Sequence, residues 1–190
     1  IAAGGTGGHV FPGLAVAEAL RERGCELLWI GTRHGLENRV VPPRGITLRP
    51  LPMRAVRGGG LARKLVAPLR VGYGLAAAFA LLRRARPQVV LGMGGYAAAP
   101  VGVAAWLLRI PLVVHEQNAR AGLTNRLLAR FAGRVLEAFP GTFAASPRCH
   151  TTGNPVRADI AALPAPAARE SFQVPPLRVL VLGGSQGARV

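Results

Sequence analysis

Three times in this chain a short apolar stretch runs straight into a loop built on paired glycines: Gly4-Gly5-Thr6-Gly7-Gly8-His9, Gly92-Met93-Gly94-Gly95-Tyr96 and Gly183-Gly184-Ser185-Gln186-Gly187-Ala188. Glycine reaches positive φ without steric penalty, so such a loop can turn sharply from strand to helix and let a ligand approach the backbone. A repeated strand–glycine turn–helix unit leaves few folds open. Between the loops, short apolar runs alternate with longer Ala- and Leu-rich segments, which predicts an α/β domain with a mainly parallel sheet. Strands are expected at Ile1–Ala3, Leu27–Ile30, Val89–Leu91, Leu112–Val114, Val135–Leu136 and Val179–Leu182. Helices are expected at Leu14–Arg23, near Leu61–Ala85 with interruptions at Pro68 and Gly72/Gly74, at Ala98–Leu108 and at Leu123–Phe131. Pro12 before the first helix and Gly24 beyond it fit the usual asymmetry of helix ends.

Pro164, Pro166, Pro175 and Pro176 mark a linker over residues 161–176. It separates an N-terminal domain, residues 1–160, from a unit over 177–190 that reads as the truncated start of a second domain. The opening Ile1-Ala2-Ala3, without Met, is short for a first strand and suggests clipping; it has no basic run of the kind a signal peptide carries. Two cysteines, Cys25 and Cys149, make no disulfide framework, and a reducing compartment is the simpler expectation. Pro87–Leu108 carries no charge over 22 residues, but Gly92, Gly94, Gly95 and Pro100 break it in the middle, which favours a buried strand–loop–helix over a membrane span.

The formal net charge of +16 implies an anionic partner: nucleic acid, anionic lipid or a phosphorylated substrate. Only 5% of the residues are aromatic, which leaves few stacking platforms for nucleic acid. A glycine turn opening a helix presents free N–H groups and the positive end of the helix dipole, and phosphate is the usual guest. The same glycines can also serve packing alone. The first loop fails Gly-x-Gly-x-x-Gly at Val10, and the next strand ends Gly31-Thr32-Arg33 without an acidic residue, so a nicotinamide cofactor is disfavoured. No P-loop motif occurs. His115-Glu116-Gln117-Asn118 follows Val113-Val114, placing four polar side chains where a buried strand ends, with Asn125 on the next helix. Thr152-Gly153-Asn154-Pro155-Val156-Arg157 reads as a turn with a cation attached, suited to a hinge or a phosphate contact. His34 and His150 have loop-like surroundings and read as ordinary. No spacing of His, Cys and carboxylates resembles a metal site.

Taken in order, Gly4–Gly13, Gly92–Tyr96, His115–Asn118, Gly122-Leu123-Thr124-Asn125, Gly153–Arg157 and Gly183–Ala188 closely resemble the MurG family of peptidoglycan glycosyltransferases, in glycosyltransferase family 28. The resemblance runs essentially end to end. It implies the GT-B fold, two Rossmann-like domains facing each other across a cleft, of which this chain would carry the N-terminal one and the start of the second. It implies an inverting N-acetylglucosaminyltransferase that moves N-acetylglucosamine from UDP-N-acetylglucosamine to the 4-hydroxyl of a lipid-linked N-acetylmuramoyl-pentapeptide. It also implies a peripheral location on the cytoplasmic face of the bacterial inner membrane, no resident metal or other cofactor, and no nucleic-acid partner.

By the same resemblance, Thr6, Gly7, Gly8, Asn118, Arg157 and Ser185 contact the donor. Gly94, Gly95, Tyr96, His115 and Asn125 line the acceptor side. His9 is the candidate general base, with Glu116 the next catalytic candidate; a histidine titrating near neutrality suits removal of a hydroxyl proton. Arg54, Arg57, Arg63, Lys64 and Arg70 around Leu61, Leu65, Val66 and Leu69, with Trp106 nearby, would dock on anionic lipid. The 190-residue chain by itself is expected to be inactive. Two other readings stay open: a GT-B enzyme with a different glycolipid acceptor, and a non-catalytic basic module for membrane or nucleic acid.

Overall fold

The computed structural model describes residues 1–53, 61–165 and 168, with the backbone alone for residues 61–68 and 70. Its strands are β1 (Ala2–Ala3), β2 (Leu28–Thr32), β3 (Thr47–Leu51), β4 (Val90–Gly94), β5 (Leu112–Glu116), β6 (Arg134–Glu137) and β7 (Cys149–Thr151). The helices are α1 (Gly7–Glu22), α2 (Glu37–Val40), α3 (Leu61–Ala85), α4 (Ala98–Leu107), α5 (Leu123–Leu128) and α6 (Ala158–Ala161), with a 3₁₀ turn at Pro42–Arg44. One sheet runs β3-β2-β1-β4-β5-β6-β7 and every pairing in it is parallel. This is the expected α/β architecture. The strand order reverses between β1 and β4, so the loops leaving those two strands flank the point where ligands bind in open α/β sheets.

Apolar layers cover both faces of the sheet. On one, Trp29 packs with Val10, Leu14 and Ala17 of α1 and with Met93; its indole N–H donates to the Ala3 carbonyl at 3.0 Å. On the other, Val101, Ala104 and Ala105 of α4 and Ala78 and Leu82 of α3 pack with Ile30, Val90, Val114 and Leu128. The central strand β1 is two alanines, both fully buried, with Ala2 paired to Ile30 on one side and Gly92 on the other. Its shortness is no weakness, because small side chains let helices approach the middle of the sheet from both faces.

Four expectations need correction. The first helix starts at Gly7, not Leu14, and Pro12 lies inside it. Thr6 is extended and its carbonyl accepts from the His9 and Val10 N–H groups at 3.2 Å, which draws the glycine loop onto the helix. The N–H that Pro12 lacks would have gone to Gly8, which is exposed, so water can take its place. The third helix, α3, runs unbroken over 25 residues. At Gly74 a Cβ would collide with the Met53 sulfur, so this glycine makes room for Met53, two residues beyond β3, rather than interrupting the helix. The fourth correction is the two strands not foreseen, β3 and β7, which are the two edges of the sheet. Pro87–Leu108 is the expected strand–loop–helix, β4 into α4, and among the described residues no helix is long and apolar enough to cross a membrane. The third glycine loop, the strand at Val179–Leu182 and most of the linker lie outside the described residues.

Candidate functional site

The loops that follow β1 and β4 touch. Gly94 and Gly95 have φ of 103° and 79°, which favours glycine, and a Cβ at Gly95 would collide with the carbonyl oxygen of Gly4. The Tyr96 ring closes over Gly5, its Cε1 lying 3.5 Å from where a Gly5 Cβ would stand. His9, in the first turn of α1, reaches across the end of β4. A Cβ at Gly94 would lie 3.0 Å from His9 Nδ1 and 3.2 Å from Asn125 Nδ2, so the missing side chain lets both polar groups converge there. The N–H groups of Gly7 and Gly8 have no protein acceptor among the described residues, and Thr6 makes no side-chain cap bond. This helix terminus is open to an anion.

A residue that sequence reasoning passed over holds the first loop from beneath. Glu37 is fully buried; its Oε1 accepts from the Thr32 N–H at 2.6 Å and the Thr32 hydroxyl at 2.7 Å, and its Oε2 accepts from the Gly5 N–H at 3.1 Å. Glycines make its berth: Cβ atoms at Gly4 and Gly31 would each come within 2.6 Å of the Glu37 side chain, and one at Gly35 would collide with it.

At the end of β5 the four polar residues are gathered as expected. Glu116 is fully buried and its carboxylate is saturated. Oε1 accepts from the Asn118 N–H (3.0 Å) and side-chain amide (2.8 Å); Oε2 accepts from the Gly122 N–H (3.0 Å) and the Asn125 amide (3.0 Å). Burial alone would raise its pKa, but these donors together hold it below the ordinary glutamate value. A carboxylate so engaged offers no lone pair to a substrate; it orients Asn118 and Asn125. The Asn125 amide also donates to the His115 carbonyl at 3.0 Å, and its Oδ1 is buried without a partner among the described residues. Such an oxygen is able to accept from a hydroxyl or N–H donor. Next in register, Glu137 repeats the device, accepting from the Gly141 and Phe143 N–H groups at 3.1 and 2.9 Å and from the Thr151 hydroxyl at 3.0 Å. Its pKa too lies below the usual value: burial pushes it up, and the donors outweigh burial.

Gln117 links the two halves. Its Oε1 lies 2.9 Å from His9 Nδ1, and its Nε2 lies 3.0 Å from His115 Nδ1 and donates to the His115 carbonyl at 3.0 Å. His115 Nε2 in turn lies 3.1 Å from the Gly153 carbonyl, and the Asn154 amide donates to the Gln117 carbonyl at 3.0 Å. The turn at Gly153 and Asn154 thus closes over the end of β5. Burial lowers the His115 pKa against the opposing pull of the Gly153 carbonyl and Glu116. Gln117, Glu37 and Asn154 are the residues sequence reasoning left without a role.

Arg157 stands 5.7 Å above the Phe11 ring and 3.4 Å from Asp159, and Phe11 packs on Gly7, so this cation sits beside the start of α1. Thr6, Gly7, Gly8, His9, Gly94, Gly95, Tyr96, His115, Glu116, Asn118, Asn125 and Arg157 all lie along the carboxyl edge of the sheet. Ser185 lies outside the described residues, as do Arg54 and Arg57 and the side chains of Leu61, Arg63, Lys64, Leu65, Val66 and Arg70. Leu69 and Trp106 are exposed, at 74% and 48%. His34 and His150 are exposed and away from this edge's hydrogen bonds. Among the described residues no cluster of three or more His, Cys, Asp or Glu could hold a metal ion.

Comparison with known proteins agrees with this geometry. Residues 1–137 match the glycosyltransferase family 28 N-terminal domain. The chain is 55% identical over 190 residues to a UDP-N-acetylglucosamine–N-acetylmuramyl-(pentapeptide) pyrophosphoryl-undecaprenol N-acetylglucosamine transferase of Xylella fastidiosa, covering all of this chain and 51% of that protein. It is 58% identical over 189 residues to the protein of the same name from Halorhodospira halophila, covering 52% of it. The chain thus spans about half the length of the curated relatives it matches. The crystal structure of Acinetobacter baumannii MurG superposes with a TM-score of 0.70 at 43% identity, over 84% of this chain and 46% of that one. With its doubly wound sheet, its two joined glycine loops and this match over most of its length, the chain belongs to glycosyltransferase family 28, in the N-terminal domain of that family.

Proposed function

We propose that the protein containing this chain is an inverting glycosyltransferase that moves N-acetylglucosamine from UDP-N-acetylglucosamine to the 4-hydroxyl of undecaprenyl-pyrophosphoryl-N-acetylmuramoyl-pentapeptide, in peptidoglycan synthesis. The observation that carries the reading is the pairing, at one switch point, of an open helix terminus with a histidine whose outer nitrogen is unengaged. His9 Nδ1 is taken up by Gln117, whereas its Nε2 has no partner among the described residues. In the proposed step the muramoyl hydroxyl oxygen forms a bond to the anomeric carbon as the bond from that carbon to the UDP oxygen breaks. The hydroxyl proton passes to His9 Nε2, and UDP departs as an anion. The Gly7 and Gly8 N–H groups and Arg157 supply positive potential for phosphate, so the reading calls for no resident metal or other cofactor. Thr6, Asn118 and Ser185 belong to the donor side in this proposal. Asn125 Oδ1, Tyr96, His115 and the Gly94–Gly95 turn belong to the acceptor side, and Glu116 acts by holding Asn118 and Asn125 in place.

The location proposed is peripheral, on the cytoplasmic face of the inner membrane. The exposed Leu69, Val71 and Tyr73 of α3 give it an apolar contact, the net charge of +16 suits an anionic surface, and the 5% aromatic content disfavours nucleic acid. The test is transfer of radiolabelled N-acetylglucosamine by the full-length protein to the lipid-linked muramoyl acceptor. His9→Ala should lower kcat by roughly 10²–10⁴-fold, the range for losing a general base, with little change in donor KM. A kcat within about threefold of wild type at saturating substrates would remove His9 as the base.

A further inference from the structure

We propose that Gln117 is a positioning residue that fixes the tautomer of His9, leaving its Nε2 unprotonated and facing the crevice. The proposal rests on the glycosyl-transfer reading only for the use made of that nitrogen. The tautomer itself follows from hydrogen-bond geometry.

The deduction starts from a group with no freedom. The His115 carbonyl can only accept, so the Gln117 side-chain atom 3.0 Å from it must be the NH₂ group, and the amide cannot flip. Its oxygen therefore faces His9 Nδ1 at 2.9 Å. That oxygen too can only accept, so His9 carries its proton on Nδ1, and in the neutral ring Nε2 holds the free lone pair. The second proton of the Gln117 NH₂ points to His115 Nδ1 at 3.0 Å, which must then be the acceptor nitrogen. His115 is left with its proton on Nε2, aimed at the Gly153 carbonyl at 3.1 Å. Every link has one donor and one acceptor, and two backbone carbonyls, those of His115 and Gly153, fix its direction, so no member can reverse alone. Burial of Gln117 and His115 (7% and 3% exposed) keeps water from substituting for a link. Gly94 completes the device, since any Cβ there would lie 3.0 Å from His9 Nδ1 and press on the bond that sets the tautomer.

The experiment compares two substitutions in the full-length protein, read by ¹⁵N NMR of labelled histidine rings and by kinetics. Assignment of the His9 signals comes from their loss in His9→Ala. Wild type should show a protonated Nδ1 and an unprotonated Nε2 at His9. Gln117→Met fills the space without an acceptor, so the His9 ring should revert to a mixture of tautomers and kcat should fall roughly tenfold or more, with donor KM little changed. Gln117→Glu still offers an oxygen to Nδ1, so the His9 tautomer should be retained and kcat should recover most of the Met loss, although the His115 links are broken. A wild-type His9 protonated on Nε2 would overturn the proposal, as would a folded Gln117→Met protein whose His9 tautomer is unchanged. Should either variant fail to fold, the wild-type spectrum still decides. The spectra need no substrate. Failure of the protein to transfer N-acetylglucosamine would therefore strike the functional reading alone, and a wrong tautomer would strike this one.

Discussion

Two buried glutamates, Glu37 and Glu116, organise the carboxyl edge of the sheet in different ways. Both are fully buried and neither has a cation within ion-pair distance among the described residues, whose ion pairs are Arg44 with Glu18 and Arg157 with Asp159. Both are held instead by hydrogen bonds, which is the condition for a carboxylate to survive burial. Glu37 spends its acceptors on Thr32 and the Gly5 backbone, so it shapes a loop. Glu116 spends two of its four on the amides of Asn118 and Asn125, so it aims side chains. The first kind of clamp supports a fold, and the second supports a site.

The difference is sharpest in a pair of isosteric variants. Glu116→Gln replaces one acceptor oxygen by an NH₂ that opposes two of its donors, so Asn118 and Asn125 should shift. We expect kcat/KM of the full-length protein to fall roughly 10²-fold, the scale of a small misplacement of reacting groups. Glu37→Gln should cost about 1–3 kcal/mol of stability for the donors it strands, with activity of the folded protein within a few-fold of wild type. Equal loss of activity in both variants, measured where both are folded, would erase the distinction between them.

Space around the two carboxylates gives a second test. Gly31→Ala would set a Cβ 2.6 Å from Glu37 Cγ, and chemical denaturation should show a loss of about 1–3 kcal/mol from overpacking.

pH probes the Glu116 side through its own titrating groups. The Glu116 and Glu137 pKa values are depressed in the folded chain, so their contribution is present above the unfolded value of 4.5 and is lost as pH falls below it. His115, also depressed, adds a loss that begins as pH falls below 6.5, because the unfolded chain takes up the proton first. Denaturation curves should therefore weaken in two stages on acidification, and His115→Gln should reduce the upper one, to which the buried Ile1 amino group, its pKa lowered to about 6 by burial, also contributes. A stability flat from pH 6.5 to 4.5 in wild type would count against a buried neutral His115.

The smallest effect should be at Gly122, which has φ of −64° and whose Cβ would stand 3.8 Å from Glu116 Oε2, an ordinary contact. Gly122→Ala should stay within about 0.5 kcal/mol of wild type. A larger loss would show that the loop around Glu116 is as tightly packed as that around Glu37.

What could be read in advance divides along the same physical line. The central strands announced themselves because strands buried on both faces are nearly continuous apolar runs. The edge strands β3 and β7 did not: Thr47–Leu51 includes Arg49 and Pro50, a proline being a residue sheets confine to their edges, and Cys149–Thr151 is three residues long with two of them polar. The residues gathered at the carboxyl edge were legible wherever glycine or a polar break marked them, as at Gly4–His9, Gly92–Tyr96 and His115–Asn118. Glu37 was not, since Gly35-Leu36-Glu37-Asn38-Arg39 reads as a solvated turn. Its burial follows from glycines at 4, 31 and 35 that are brought together only in the folded sheet. Gln117 stood in the polar run but had no role, because its partners His9 and Asn154 lie 108 and 37 positions away along the chain.

The contact between Gly95 and the Gly4 carbonyl bears on how this domain can be re-engineered. Two loops whose backbones meet at Gly4 and Gly95, with Tyr96 and His9 packed across the join, cannot be varied one at a time. A chimera that grafts the turn after β4 from a family member with another acceptor must bring that member's first loop with it, as one cassette. Libraries that randomise either turn alone lose the fit at Gly95, whereas paired exchange keeps it.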